Sequence, residues 1–194
     1  MEENAREVAG KVMQASWLIL VFYWIVAAAS TKATERRMSR GWRLTYLGTV
    51  VAAMGLVMYS HRGPHPLDEV VIPRGESGAI VAMFLCVAGL VFAVWARVTL
   101  GSNWSGSVTL KVGHELVQGG PYALVRHPIY TGILAMVAAT SIYNGTVGSI
   151  AGFAILTASF WVKLGHEEKL MTEQFPGQYP AYAARVRRLI PFLL

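Results

Sequence analysis

Long stretches of this chain carry no charge, and that constrains its fold more than any motif. Residues 12–31, 44–61, 77–96 and 127–162 contain no Asp, Glu, Lys or Arg. A helix rises 1.5 Å per residue, so about 20 apolar residues cross a hydrocarbon core of roughly 30 Å. Each of the first three runs is long enough to cross once. The fourth is long enough to cross twice, and its middle, Tyr143-Asn144-Gly145-Thr146-Val147-Gly148, carries the turn formers that reverse a helix. These runs predict an all-α integral membrane fold with five transmembrane helices, the last two folded back on each other as a C-terminal hairpin. Composition agrees: with 54% hydrophobic and 14% charged residues, the chain lies outside the soluble globular range.

The charges between the runs set a predicted orientation. Lys32, Arg36, Arg37, Arg40 and Arg43 face only Glu35, whereas Arg62 and Arg74 are outnumbered by Asp68, Glu69 and Glu76. After the third run come Arg97, Lys111 and Arg126 against Glu115, and the tail sets Lys163, Lys169, Arg185, Arg187 and Arg188 against Glu167, Glu168 and Glu173. Basic residues stay preferentially on the cytosolic side, so one orientation satisfies all four segments. It puts the amino terminus outside and the loops at 32–43 and 97–127, with the tail from Lys163 on, in the cytosol. Trp17, Trp24, Trp42, Trp95, Trp104 and Trp161 stand near run ends, where interfacial anchors belong.

Several function classes fall away. The net charge of +6 sits beside the membrane rather than along a soluble face, so lipid headgroups explain it better than nucleic acid. Cys86 is the single cysteine and lies mid-run, which rules out a disulfide framework and a thiolate metal cluster. His61 and His65 flank Pro64 without further ligands, so no metal is expected. Glu2, Glu3 and Glu7 outweigh Arg6 and Lys11 ahead of the first run, which reads as an anchor rather than a cleaved leader. The Asn103-Trp104-Ser105 and Asn144-Gly145-Thr146 sequons are discounted by their predicted positions, inside and in a tight turn.

One integral domain is expected, in two parts: a three-helix scaffold over 1–98, and a core over 99–194 made of a cytosolic loop, the hairpin and a tail. The glycine-rich segment 101–126 reads as structured loop. Tyr182, Arg185, Val186 and Leu189 recur at helical spacing, which predicts a short amphipathic helix ended by Pro191.

The chemistry gathers where the hairpin begins and ends. If the fourth span starts near Pro128 and the fifth ends near Met171, antiparallel packing brings His127, Pro128 and Tyr130 level with Lys163, Glu167 and Glu168. Lys163 and Glu167 lie one turn apart on one face. Adjacent glutamates point about 100° apart, so one of the pair, taken here as Glu167, faces a shared ligand. Such a pocket offers a carboxylate for a cation, a lysine for an anion and rings for a flat base. The same residues also fit a plain interfacial cap and a solvated helix end, and His114 and His166 are ambiguous by physics alone. No glycine fingerprint follows a strand, so a nucleotide-like cofactor requires a non-Rossmann pocket.

Taken in order, His114-Glu115-Leu116-Val117, Gly120-Pro121-Tyr122, Arg126-His127-Pro128-Ile129-Tyr130 with Gly132, Glu167-Glu168, and Tyr179, Tyr182, Val186 and Leu189-Ile190-Pro191-Phe192 resemble the isoprenylcysteine carboxyl methyltransferase family over roughly the last hundred residues. Size and span pattern are similar to its compact prokaryotic, archaeal members. The resemblance implies a membrane enzyme that uses S-adenosylmethionine to methylate the carboxylate of a prenylated cysteine, with S-adenosylhomocysteine as product. It implies that His114, Glu115, Leu116, Val117, Tyr122, His127, Pro128, Ile129, Tyr130 and Glu167 surround the cofactor. Family members usually place an arginine four residues before the first glutamate, and this chain has Lys163 there, which keeps the charge and loses the fork. Lys163 or a tail arginine such as Arg185 is the expected partner of the acceptor carboxylate. Phospholipid, amine and thiol methyltransferases and nicotinamide-dependent membrane reductases share the Arg-His-Pro and Tyr pattern, so the motif supports the fold more firmly than the acceptor. A non-catalytic membrane scaffold is the reading from a different class.

Overall fold

A computed structural model of the chain describes residues 4–28, 34–37, 40–59, 65–101, 109–111 and 116–191. His114 and Glu115 lie outside the described residues. The helices are α1 (Ala5–Ala28), α2 (Arg40–Tyr59), α3 (Glu76–Leu100), α4 (Pro128–Asn144), α5 (Val147–Gln174) and α6 (Gln178–Arg185). Two short strands, β1 (Thr34–Arg37) and β2 (Thr109–Lys111), pair antiparallel and join the α1–α2 connection to the loop after α3. The described residues are otherwise helix and loop.

Among the described residues four helices, α1, α2, α3 and α5, are long and apolar enough to cross a membrane, which makes this a multi-pass membrane protein. The fifth predicted span, α4, has 17 residues and is shorter than these four. The helices wear their apolar residues outward: Leu18, Phe22 and Ile25 on α1 and Phe84, Val91 and Val98 on α3 are all exposed. Such surface suits lipid rather than water.

Helix α4 is the centre of the packing. Its adjacent residues Met136 and Val137 join different cores, Met136 one with Met13, Leu20, Cys86 and Leu90 of α1 and α3, Val137 one with Ala53, Val57, Leu156 and Phe160 of α2 and α5. Apolar side chains gain little by leaving lipid, so close backbone approach has to do the packing. Gly89 of α3 and Gly132 of α4 meet so closely that a Cβ on either would collide with the other's carbonyl oxygen.

The α4–α5 turn forms where the turn residues predict it. Gly145 ends α4 in the left-handed region (φ 67°), and Thr146 begins α5 with a capping box closed by Ser149. Segment 69–72 clips onto this tip, with the Val71 and Ile72 amides donating to the Gly145 carbonyl (2.8 and 3.0 Å) and the Val147 amide donating to Glu69 (3.0 Å).

The tail departs from its sequence-based expectation. Helix α6 stops at Arg185 and Val186 is already extended, so Val186 and Leu189 do not continue its face. The cause is tertiary: Arg187 forms a parallel bridge with Val125, and the Arg126 and His127 amides donate to the Arg187 and Arg188 carbonyls (2.8 and 3.1 Å). Backbone pairing with the loop satisfies groups that another helical turn would have satisfied internally.

Candidate active site

Proline at the first helical position of α4 fixes where that helix starts, and His127 precedes it as the N-cap. The tail holds this start in place. Thr131 Oγ1 donates to Leu189 O (2.8 Å), and the Tyr182 hydroxyl donates to Tyr122 O (2.6 Å). One turn into α4, Tyr130 faces the last turns of α5. Antiparallel packing therefore brings His127 and Tyr130 against Lys163, Glu167 and Glu168, all at one end of the bundle.

The two glutamates are employed differently. Glu168 is enclosed by donors: Arg126 Nε (2.9 Å), Arg188 Nε (3.1 Å) and the His127 ring Nε2 (3.1 Å) all reach Oε1. Arg188 also pairs with Oε2, and its guanidinium lies over the Trp161 ring at 4.5 Å. Arg126 donates further to the Ala183 and Val186 carbonyls of the tail. Glu168 thus ties loop, tail and helix start into one knot.

Glu167 is less committed. Its Oε1 accepts the Tyr130 hydroxyl at 2.6 Å and stands 3.8 Å from Lys163 Nζ, while Oε2 is 3.8 Å from His127 Nδ1. That last distance exceeds a hydrogen bond, so Oε2 retains capacity for a donor. Lys163 is buried, with its ammonium 4.7 Å from the Tyr46 ring centroid and 5.2 Å from that of Tyr130, within cation–π range.

The other residues expected here divide. Tyr122 and Ile129 are buried together with Ala96, and Val117 packs against them. The Tyr122 phenol is pushed well above its ordinary value, first by burial, then by the neighbouring Tyr182 phenol and the Glu167 carboxylate, with Arg97 pulling the other way. It is a neutral group at physiological pH. Pro128 is buried and Leu116 half-buried at the start of the second described part of the loop. Arg185 is exposed, and its guanidinium meets Gln118 (3.5 Å); Arg188 is the tail arginine that reaches the acidic pair.

Sequence reasoning missed Tyr46, which comes from the part read as scaffold. Trp42 stacks on it (5.3 Å, 1°) and meets His166 edge-on (5.3 Å). The available signal was the i, i+4 spacing of two rings at the end of α2 beside the basic loop.

Over residues 80–173, from α3 to the end of α5, the chain matches the isoprenylcysteine carboxyl methyltransferase (ICMT) family. The matched segment is just under half of the chain and contains the ends of α4 and α5 that meet. The chain is similar to protein-S-isoprenylcysteine O-methyltransferase B of Arabidopsis thaliana, 28% identical over 112 residues that cover 56% of this chain and 57% of that protein. A probable protein-S-isoprenylcysteine O-methyltransferase of Oryza sativa subsp. japonica is 28% identical over 116 residues, 58% of this chain and 61% of the rice protein. The chain therefore spans less than two thirds of the length of these relatives. The ICMT match takes in His127, Tyr130, Lys163 and both glutamates and stops before α6 and the tail.

Proposed function

We propose that this protein is an ICMT-family, S-adenosylmethionine-dependent methyltransferase acting on the carboxylate of an isoprenylcysteine or a similar lipophilic acceptor at the membrane. The observation that carries the reading is Glu167, bonded to Tyr130 at 2.6 Å with one oxygen left for a ligand, beside a buried lysine. The donor set fits the cofactor. Its ammonium needs a carboxylate, which Glu167 supplies while Glu168 is saturated by arginines, and its adenosine needs flat apolar surface, which Tyr122, Ile129 and Tyr130 offer together with Leu116 and Val117. His114 and Glu115 complete the set by family resemblance.

When bound, the cofactor supplies an electrophilic methyl group on a sulfonium. The acceptor carboxylate, with an ordinary pKa near 3.5, is already ionised at neutral pH and requires no general base. The chain's contribution is alignment and exclusion of water. Glu167 and His127 hold the amino-acid end, and Lys163 orients the acceptor carboxylate as a point charge. Within this reading α4 is a fifth crossing: its 17 residues rise about 26 Å, and α3 and α5 flank it. The basic connections put the site on the cytosolic face and the amino terminus outside, with the acceptor's lipid chain entering sideways from the bilayer.

Glu167→Gln should abolish methyl transfer to an S-prenylcysteine analogue while the thermal transition stays within a few degrees of wild type. Full activity in Glu167→Gln rejects the assignment. Calorimetric binding of S-adenosylhomocysteine supports the cofactor; binding of reduced nicotinamide nucleotide in its place, or transfer to aminolipids alone, selects one of the competing chemistries.

A further inference from the structure

Lys163 presents a physical problem that its position in the family does not solve. An ammonium buried at the end of a helix bundle loses hydration, and its ion pair with Glu167 is long, at 3.8 Å. The surroundings compensate with rings. Tyr46 of α2 and Tyr130 of α4 both present themselves to the ammonium, at 4.7 and 5.2 Å. Each ring is itself fixed: Tyr46 by parallel stacking with Trp42, Tyr130 by an edge contact with Phe160 (4.9 Å) and by its bond to Glu167. Trp42 in turn meets His166, so α2 is tied to α5 both at Lys163 and about one turn beyond it.

We propose that Tyr46 is a positioning residue for the acceptor, acting through Lys163: its ring holds the ammonium where an incoming carboxylate meets it. This rests on the methyltransferase reading and extends it to α2, outside the segment shared with the ICMT family. A lysine is a flexible point charge, unlike the planar fork that family members usually carry here. Ring faces from two helices supply the orientation that the side chain lacks. The hydroxyl of Tyr46 has no part in this, because the attraction is to the ring face.

The test uses the full chain in lipid nanodiscs, with an S-prenylcysteine analogue as acceptor. Tyr46→Leu should raise the KM for the acceptor about thirtyfold, the scale of one desolvated cation–π contact. S-adenosylhomocysteine affinity should stay within about twofold, and Tyr46→Phe should behave as wild type. In a Lys163→Met background, Tyr46→Leu should add nothing further to KM. Loss of acceptor KM and S-adenosylhomocysteine affinity together would mark Tyr46 as merely structural and overturn the proposal. So would an unchanged KM in Tyr46→Leu, a Phe variant as impaired as Leu, or an undiminished Leu effect without Lys163. Wild-type protein that neither binds S-adenosylhomocysteine nor transfers methyl groups overturns the underlying reading first, and this one with it.

Discussion

The two ends of the helix bundle are fastened by different chemistry. At the tip, where α4 turns into α5, the clamps end on backbone carbonyls: 69–72 clips onto 145–147, Arg6 and Arg74 donate to the Tyr143 and Asn144 carbonyls (2.8 and 2.7 Å), and Asn144 donates to Val57 O (2.7 Å). At the other end, beyond the backbone pairing of 125–127 with the tail, the fastening is a knot of full charges, with Arg126 and Arg188 converging on Glu168. A carbonyl clamp resists change and offers a ligand nothing. A charge knot holds the tail down and leaves the adjacent carboxylate, Glu167, open to a partner. The difference shows how neighbouring glutamates keep separate company: a helix turns about 100° per residue, so Glu168 meets the loop and tail arginines while Glu167 meets Tyr130 and Lys163 of the proposed site.

The sharpest way to break this comparison is Glu168→Ala. Removing one member of a buried ionic cluster strands the others, at about 3–5 kcal/mol, and the 11–21% side-chain exposure of Arg126, Glu168 and Arg188 places the effect toward the lower figure. Thermal unfolding should report that loss, and limited proteolysis should show the tail beyond Arg185 cut faster. A variant as stable and as protease-resistant as wild type would mean that the backbone pairing of 125–127 with 187–188 suffices and the knot is incidental.

The converse variant lies at the tip. Gly145→Val places a branched side chain at φ 67°, with its Cβ against the Ile72 carbonyl, so both the turn and the 69–72 clip must shift. Positive φ alone costs about 1–2 kcal/mol for an L residue. Stability should fall by about 2 kcal/mol while S-adenosylhomocysteine affinity, measured well below the transition temperature, stays unchanged. A parallel loss of affinity would show that tip and site are coupled through α4.

How much of this was legible follows the same division. Uncharged runs announced five spans, four of which are helices long and apolar enough to cross a membrane, Asn144-Gly145-Thr146 announced the turn, and Pro128 announced the start of α4, because each depends on local backbone and solvent physics. The meeting of His127 and Tyr130 with Lys163 and Glu167 also followed, since a hairpin of two rigid helices fixes which ends come level. Two things were out of reach. Periodicity through Val186 and Leu189 says helix, and it cannot register that Arg187 and Arg188 spend their carbonyls on Arg126 and His127. Tyr46 lies far from Lys163 in sequence, and an aromatic pair at the end of a span reads first as an interfacial anchor. Glu168 was visible but undervalued, because its arginine partners come from a loop and a tail whose mutual placement is tertiary.

The smallest effect concerns how the tail sits on the loop. The Tyr182 hydroxyl donates to Tyr122 O at 2.6 Å, and its pKa is pushed up to about 12, chiefly by burial, with Arg126 lowering and Glu168 raising it. Below pH 10 the phenol is neutral whether the tail is docked or detached, so docking is independent of pH there. Between pH 10 and about 12 the detached tail ionises first, and docking weakens as pH rises through that window. Tyr182→Phe removes the bond, at about 1 kcal/mol, and also removes the phenol that titrates. Tyr179 is shifted upward as well, again mainly by burial, so a residue of the alkaline effect should survive in the Phe variant. Hydrogen exchange at the Arg126 and His127 amides reads the docking directly. Their protection should drop modestly in Tyr182→Phe at neutral pH, and between pH 10 and 12 it should decline less steeply than in wild type. Equal slopes in the two proteins would assign the alkaline loosening to another group, and the tail would then be held by its backbone pairing and the charge knot without help from Tyr182.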